Sequence, residues 1–148
     1  MPSHSEHRQR STTVLDGKSR WNGNTEGLLL IGRGVSGILF ALDESRVVKV
    51  CRNIDHRSVD DIDTERRAYR NLARRPSDYV LRCYDSENPY GIVLERCKET
   101  VRHRIRSRHS NCSPQREALK WAIEATRGLG VVHGCGVIQG DGEPWSIV

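Results

Sequence analysis

The chain has 148 residues, of which 36% are hydrophobic and 29% are charged, and its formal net charge is +5. This length and hydrophobic content suffice for about one domain with a modest core. No run approaches the roughly 18 apolar residues of a membrane span, and the amino terminus lacks the apolar core of a signal peptide. We therefore expect an intracellular protein, cytoplasmic or nuclear, without a membrane partner.

The first 25 residues are polar and carry charges of both signs. Such a composition buries too little apolar surface to fold, so we expect a disordered polar leader over residues 1–25. The large apolar side chain of Trp21 lies near its end. We expect this side chain to pack on the edge of the sheet that follows, and anchoring of a partner peptide is the alternative.

A glycine-rich turn lies between two apolar runs, with glycines at Gly32, Gly34 and Gly37. Lys49 follows, alone within the apolar run 47–50. Glycines let the backbone approach phosphate oxygens closely, and an ammonium supplies a compact countercharge. The pattern predicts a phosphate site, and a plain hairpin turn is the alternative because glycines are common in such turns.

Short apolar and β-branched runs at 28–31, 38–42 and 46–50 predict three consecutive antiparallel strands around these glycines. A dinucleotide-binding glycine loop opens a helix instead, and a Walker A loop ends in Gly-Lys-Ser/Thr, so neither fits. The order of strand, glycine loop, strand, turn and lysine-bearing strand resembles the start of a protein kinase domain.

The next segment, 58–72, has helical periodicity. Ser58 and Asp61 have the spacing of a capping box, which favours a helix start at Ser58. Acidic residues follow in the first turns and basic residues in the later ones, which suits the helix dipole. We therefore predict a helix that begins at Ser58.

On this helix Glu65 shares the inward face with Ile62 and Tyr69. A carboxylate among apolar residues is costly to bury unless it is paired, and Lys49 is the available partner. A partly exposed carboxylate bonded to Arg66 or Tyr69 is the alternative. In kinases the helix glutamate holds the strand lysine against the phosphates, so the predicted pair strengthens the resemblance.

Runs at 79–84 and 90–97 predict two more strands around a turn at 85–89. With the first three they make a five-stranded antiparallel sheet with one helix, as in the small lobe of a kinase. The resemblance implies a hinge after the fifth strand, where Glu95 and Cys97 would offer backbone groups to adenine.

Ser113 and Pro114 predict the start of the longest helix, whose apolar stripe runs to Gly134. Beyond it, Asp141 lies in a segment that resembles the catalytic loop of a kinase. The resemblance implies that Asp141 orients the acceptor hydroxyl, and it places Ser146 at the position of the magnesium-binding asparagine.

The catalytic segment departs from the kinase pattern. Glu143 stands where protein kinases usually carry a lysine, and Ser146 offers a weaker magnesium ligand than asparagine. The sequence ends seven residues after Asp141, without the Asp-Phe-Gly that supplies the main metal ligand. We expect phosphoryl transfer by this chain to be impaired or absent.

The resemblance covers residues 26–148 and implies an α+β fold: a kinase-like small lobe and hinge at 26–97, then a partial large lobe at 98–148. The implied activity is phosphoryl transfer from ATP to protein serine or threonine, with Mg²⁺. The glycines Gly32, Gly34 and Gly37 would cover the phosphates, and Lys49 would hold them as a catalytic residue. A pseudokinase or interaction module, and a small-molecule phosphotransferase of similar fold, are the alternatives.

The basic run 101–109 carries four arginines and two histidines. It lacks the interleaved aromatic residues that stack on bases, so we do not expect nucleic acid as a partner. A solvated helix and loop that faces water or an acidic protein partner is favoured. The sequence predicts no oligomeric state.

Overall fold

The computed structural model describes residues 20–34, 37–52, 56–106 and 114–138. The described elements, in chain order, are β1 (Leu29–Arg33), β2 (Gly37–Ala41), β3 (Arg46–Cys51), α1 (His56–Leu72), β4 (Cys83–Asp85), β5 (Ile92–Glu95), α2 (Val101–Arg106) and α3 (Pro114–Gly134). The strands form one antiparallel sheet in the order β1-β2-β3-β5-β4, so β3 is its central strand. The predicted α+β class and five-stranded antiparallel sheet are confirmed.

Several predicted boundaries differ from the observed ones, and of the strand predicted at 90–97 only Ile92–Glu95 is formed, as β5. Helix α1 begins at His56, so Ser58 lies inside the helix and does not cap it. The three-residue spacing of Ser58 and Asp61 did not identify the helix start, because residues three apart also share a face within a helix. The predicted strand at 79–84 is also too long, since β4 begins only at Cys83 and a turn precedes it, closed by the Val80 N–H on the Ser77 carbonyl.

One face of the sheet packs against α1. Val47, Ile92 and Leu94 from the sheet form a buried cluster with Ile62 from the helix. Because side chains alternate along a strand, Lys49 on β3 lies on the same face as Val47. The α1 face of the central strand therefore carries both core side chains and the lysine.

The opposite face of the sheet is covered by the segment that precedes β1. Trp21 is 6% exposed and packs in a cluster with Val48 and Val93. These two residues lie on inner strands, so the tryptophan packs on the centre of the sheet and the predicted edge position is wrong. Trp21 falls within the stretch that the sequence assigned to the leader, and its side chain lies against the sheet.

Helix α3 meets the small sheet domain through the segment before β4. Gly128 is buried, and a Cβ there would lie 2.6 Å from the Tyr79 carbonyl oxygen, so the helix backbone approaches that segment closely. Arg127 stacks on the Tyr79 ring and donates to its hydroxyl at 2.8 Å. Leu119 and Ile123 stay largely exposed, 62% and 45%. Among the described helices, none combines the length and apolar content needed to cross a membrane.

Candidate functional site

The centre of the site is an ion pair between β3 and α1. The Lys49 Nζ donates to the Glu65 Oε2 at 2.5 Å, and the two side chains are 18% and 23% exposed. The predicted pairing of these residues is confirmed. Because both charges are partly withdrawn from water, removing either partner leaves a charge that is poorly solvated.

The helix period explains why Glu65 reaches the lysine. Ile62 lies three residues before it and is 5% exposed in the core, and Tyr69 lies four residues after it and packs on the same cluster. Residues at these spacings share one helix face, which here is the face on the sheet. The apolar neighbours therefore fix the side of α1 on which the carboxylate lies.

Neighbouring titratable groups on this face stay uncharged at neutral pH. Burial raises the pKa of the Tyr69 hydroxyl above its usual range, and the charge of Glu65 raises it further. Burial likewise raises the pKa of the Cys83 thiol to about 11. A neutral hydroxyl and a neutral thiol add no anion that would compete with Glu65 for the lysine.

In the glycine hairpin, which is formed by β1 and β2, Gly37 lies against the side chain of Lys49. A Cβ at Gly37 would lie 3.0 Å from the lysine Cγ and Cε and 2.8 Å from the Val50 carbonyl oxygen. The Gly34 N–H donates to the Gly37 carbonyl at 2.8 Å and closes the hairpin. Gly32 is opposite Leu39, next to a register shift in the β1–β2 pairing. Gly37 thus leaves room for the lysine side chain beneath the hairpin.

The segment after β5 is anchored at its start. The Glu95 N–H donates to the Arg82 carbonyl at 2.9 Å, and the Arg96 N–H donates to the Ser45 carbonyl at 2.8 Å. Cys97 is half-buried, and burial raises the pKa of its thiol, with a further contribution from Glu95. Among the described residues, no backbone carbonyl accepts a hydrogen bond from the Cys97 N–H.

The structure brings some of the predicted site residues together. Lys49 lies against Gly37 and pairs with Glu65, while Glu95 ends β5 and Cys97 follows two residues later. No protein-family model, curated protein or solved structure matches the chain.

The predicted catalytic segment is not part of this geometry. Asp141 and Ser146 lie outside the described residues. Within the ranges that the structure describes, no three histidine, cysteine or acidic side chains cluster in a way that could hold a metal ion. The role of Asp141 and the magnesium role of Ser146 stay predictions.

A cavity of about 700 Å³ opens between the end of α1 and the edge strand β4, and reaches Glu95. Its lining includes Tyr69, Leu81 and Cys83. This volume is typical of small-molecule sites. The lining includes neither Lys49 nor the hairpin glycines, so the cavity does not itself supply the phosphate end of a nucleotide site.

Two side chains that support the site were not assigned a role from the sequence. Asn88 is fully buried, and its amide joins the turn between β4 and β5 to the carbonyl of Trp21. Arg66, next to Glu65, donates to two carbonyls of the same turn. The sequence signalled only a turn at 85–89 because its partners lie about 20 and 67 residues away.

Proposed function

We propose that the chain is a protein kinase-like domain that binds ATP, with Lys49 at the phosphates. The observation that carries the proposal is the ion pair between Lys49 on the central strand and Glu65 on α1, with Gly37 of the glycine hairpin against the lysine side chain. An ammonium has three donors, and Glu65 takes one of them. The others can donate to phosphate oxygens while Glu65 holds the ammonium in place.

The segment after β5 supports the placement of the base. No backbone carbonyl of the described residues accepts from the Cys97 N–H, and the backbone before it is fixed by the Arg96 N–H on the Ser45 carbonyl. A backbone donor held in place suits the edge of a purine. In the proposed complex the adenine lies against Glu95 and Cys97, and the phosphates extend to Lys49.

The glycine hairpin contributes shape to the proposed site. Gly37 lets the backbone approach the lysine side chain, and a larger residue there would displace it. The Gly34 N–H already donates within the hairpin, so it is not a phosphate donor in this conformation. The glycines would therefore cover the phosphates mainly through close backbone approach.

The reaction that goes with this proposal is phosphoryl transfer from Mg-ATP to a protein serine or threonine, with Asp141 orienting the hydroxyl. By the resemblance, Glu143 stands where protein kinases carry a lysine that a transferred phosphoryl group needs, and Ser146 stands where they carry a stronger magnesium ligand. Binding is therefore the primary proposal, with transfer slow or absent. A glutamate at position 143 hinders phosphoryl transfer and does not prevent nucleotide binding.

Calorimetric titration of the full chain with Mg-ATP tests the proposal. We expect a saturable signal in the unchanged protein and in Lys120→Ala, and a markedly weaker affinity in Lys49→Ala, which keeps only the contribution of the base. Lys120 is the matched control because its side chain is 71% exposed on α3 and its Nζ lies as far as 3.7 Å from the Glu124 carboxylate. Its substitution removes one positive charge, as Lys49→Ala does, but at a position outside the site. Equal affinity in Lys49→Ala and the unchanged protein would exclude this site.

A further inference from the structure

Arg66 ties α1 to the turn between β4 and β5, residues 86–91. Its side chain is 12% exposed, and its Nη1 donates to the Ser86 carbonyl at 2.8 Å and to the Asn88 carbonyl at 2.6 Å. Hydrogen bonds from a charged donor are stronger than neutral ones. The Asp63 carboxylate lies 3.5 Å from the Arg66 Nε but is 63% exposed, so the two carbonyls are the main anchors.

The β4–β5 turn is itself held in place from the opposite face of the sheet. The Asn88 amide donates to the Trp21 carbonyl at 2.8 Å, and its oxygen accepts from the Tyr90 N–H at 3.0 Å. The rings of Trp21 and Tyr90 meet edge to face with centroids 6.3 Å apart. A fully buried and satisfied amide makes this turn a fixed anchor.

The same turn touches the backbone of Lys49. A Cβ at Gly91 would lie 2.6 Å from the Lys49 carbonyl oxygen and 2.9 Å from Val48 Cγ2. Ile92, the next residue, pairs with Lys49 in the β3–β5 register. One rigid turn therefore contacts the strand of Lys49 directly and the helix of Glu65 through Arg66.

We infer that Arg66 is a positioning residue for the Lys49–Glu65 pair. By fixing α1 to the turn that abuts Lys49, it sets the distance between the helix and β3 at which the carboxylate meets the ammonium. Without this tether α1 moves relative to β3 and Glu65 turns towards water. The effect on nucleotide rests on the proposed function, whereas the effect on the ion pair does not.

The ion pair is tested first, without nucleotide. The coupling between Lys49 and Glu65 is measured in thermal unfolding from Lys49→Met, Glu65→Gln and the double variant. The cycle is repeated in Arg66→Gln and in Arg67→Gln. Arg67 is the matched control because it is the next residue, is exposed, and within the described ranges bonds the Thr64 hydroxyl alone, at 3.1 Å.

We expect the coupling to fall below about half its value in Arg66→Gln and to stay unchanged in Arg67→Gln. Equal coupling in the two backgrounds would overturn the inference, because a merely structural arginine lowers stability without changing the coupling. If Arg66→Gln does not fold, Arg66→Lys takes its place: it keeps the charge and loses the planar fork.

Calorimetry with Mg-ATP provides the second arm. If the unchanged protein binds, we expect Arg66→Gln to weaken the affinity for ATP about tenfold, which corresponds to the loss of one hydrogen bond between the Lys49 ammonium and a phosphate. We expect Arg67→Gln to leave the affinity unchanged. Undiminished affinity in Arg66→Gln would overturn the inference. If the unchanged protein does not bind, the proposed function fails and the coupling cycle alone decides whether Arg66 positions the pair.

Discussion

The Lys49 ammonium lies 2.5 Å from the Glu65 carboxylate, and less than a quarter of either side chain is exposed. We expect Lys49→Met and Glu65→Gln each to lower the free energy of unfolding by about 1–3 kcal/mol, because each leaves a partly buried charge without its partner. The double variant should lose less than the sum of the two. Urea denaturation measures all three.

The exposed Lys120–Glu124 pair on α3, with its two charged atoms 3.7 Å apart, is the control for this cycle. We expect its coupling to be about 0.5 kcal/mol or less, because water screens both charges. A coupling at Lys49–Glu65 no larger than this one would contradict the view that burial strengthens the pair.

The glycine hairpin offers a second matched pair of substitutions. Gly37→Ala places a Cβ 3.0 Å from the Lys49 side chain, whereas the nearest atom to a Cβ at Gly34 is 3.7 Å away. We expect Gly37→Ala to cost about 1–3 kcal/mol through forced displacement, and Gly34→Ala to cost far less. Thermal unfolding compares them, and equal losses would show that the lysine does not fill this space.

Two glycine substitutions in α3 test whether this helix packs on the segment before β4. Gly128→Ala would place a Cβ 2.6 Å from the Tyr79 carbonyl oxygen, whereas nothing lies within 4 Å of a Cβ at Gly130. We expect Gly130→Ala to stabilise the protein by up to about 1 kcal/mol through helix propensity, and Gly128→Ala to destabilise it. Stabilisation by both, read from urea denaturation, would mean that α3 does not pack on this segment.

The β2–β3 turn predicts a response to acid. Burial alone would raise the pKa of Asp43, but hydrogen bonds from Arg46 and Ser45 outweigh it and hold the pKa below its ordinary value of 3.8. The stabilisation from this carboxylate is therefore complete above pH 3.8 and is lost as the pH falls through the lowered folded pKa.

Thermal midpoints measured as the pH is lowered from 6 to 2 test this response at Asp43. We expect Asp43→Asn to be less stable than the unchanged protein at pH 6, and the difference to shrink towards pH 2 because the carboxyl group is then protonated. A difference that stays constant over this range would contradict a role for the ionised carboxylate.

Local patterns predicted the main features of the site. The glycines and the strand lysine lie in one short stretch, and the helical period alone places Glu65 on the face of Ile62. The pairing of Glu65 with Lys49 was predicted from the cost of burying an unpaired carboxylate. Information within about 20 residues was therefore enough for the ion pair.

Contacts between distant segments were not predicted. Trp21 packs on the sheet centre, and the strand predicted at 79–84 is shortened where Gly128 of α3 meets Tyr79. The tie from Arg66 to the β4–β5 turn depends on carbonyl groups, which every residue carries. Such contacts leave no recognisable pattern in the sequence, because many combinations of residues can pack equally well at the same place.

In the proposed function Lys49, held by Glu65, binds the phosphates of a nucleotide. The most direct test compares the calorimetric affinities of ATP and adenosine in the unchanged protein and in Lys49→Ala, with magnesium present. We expect the unchanged protein to bind ATP more tightly than adenosine, and Lys49→Ala to lose this difference while still binding adenosine. An ATP preference of the same size in both proteins would contradict the proposed function.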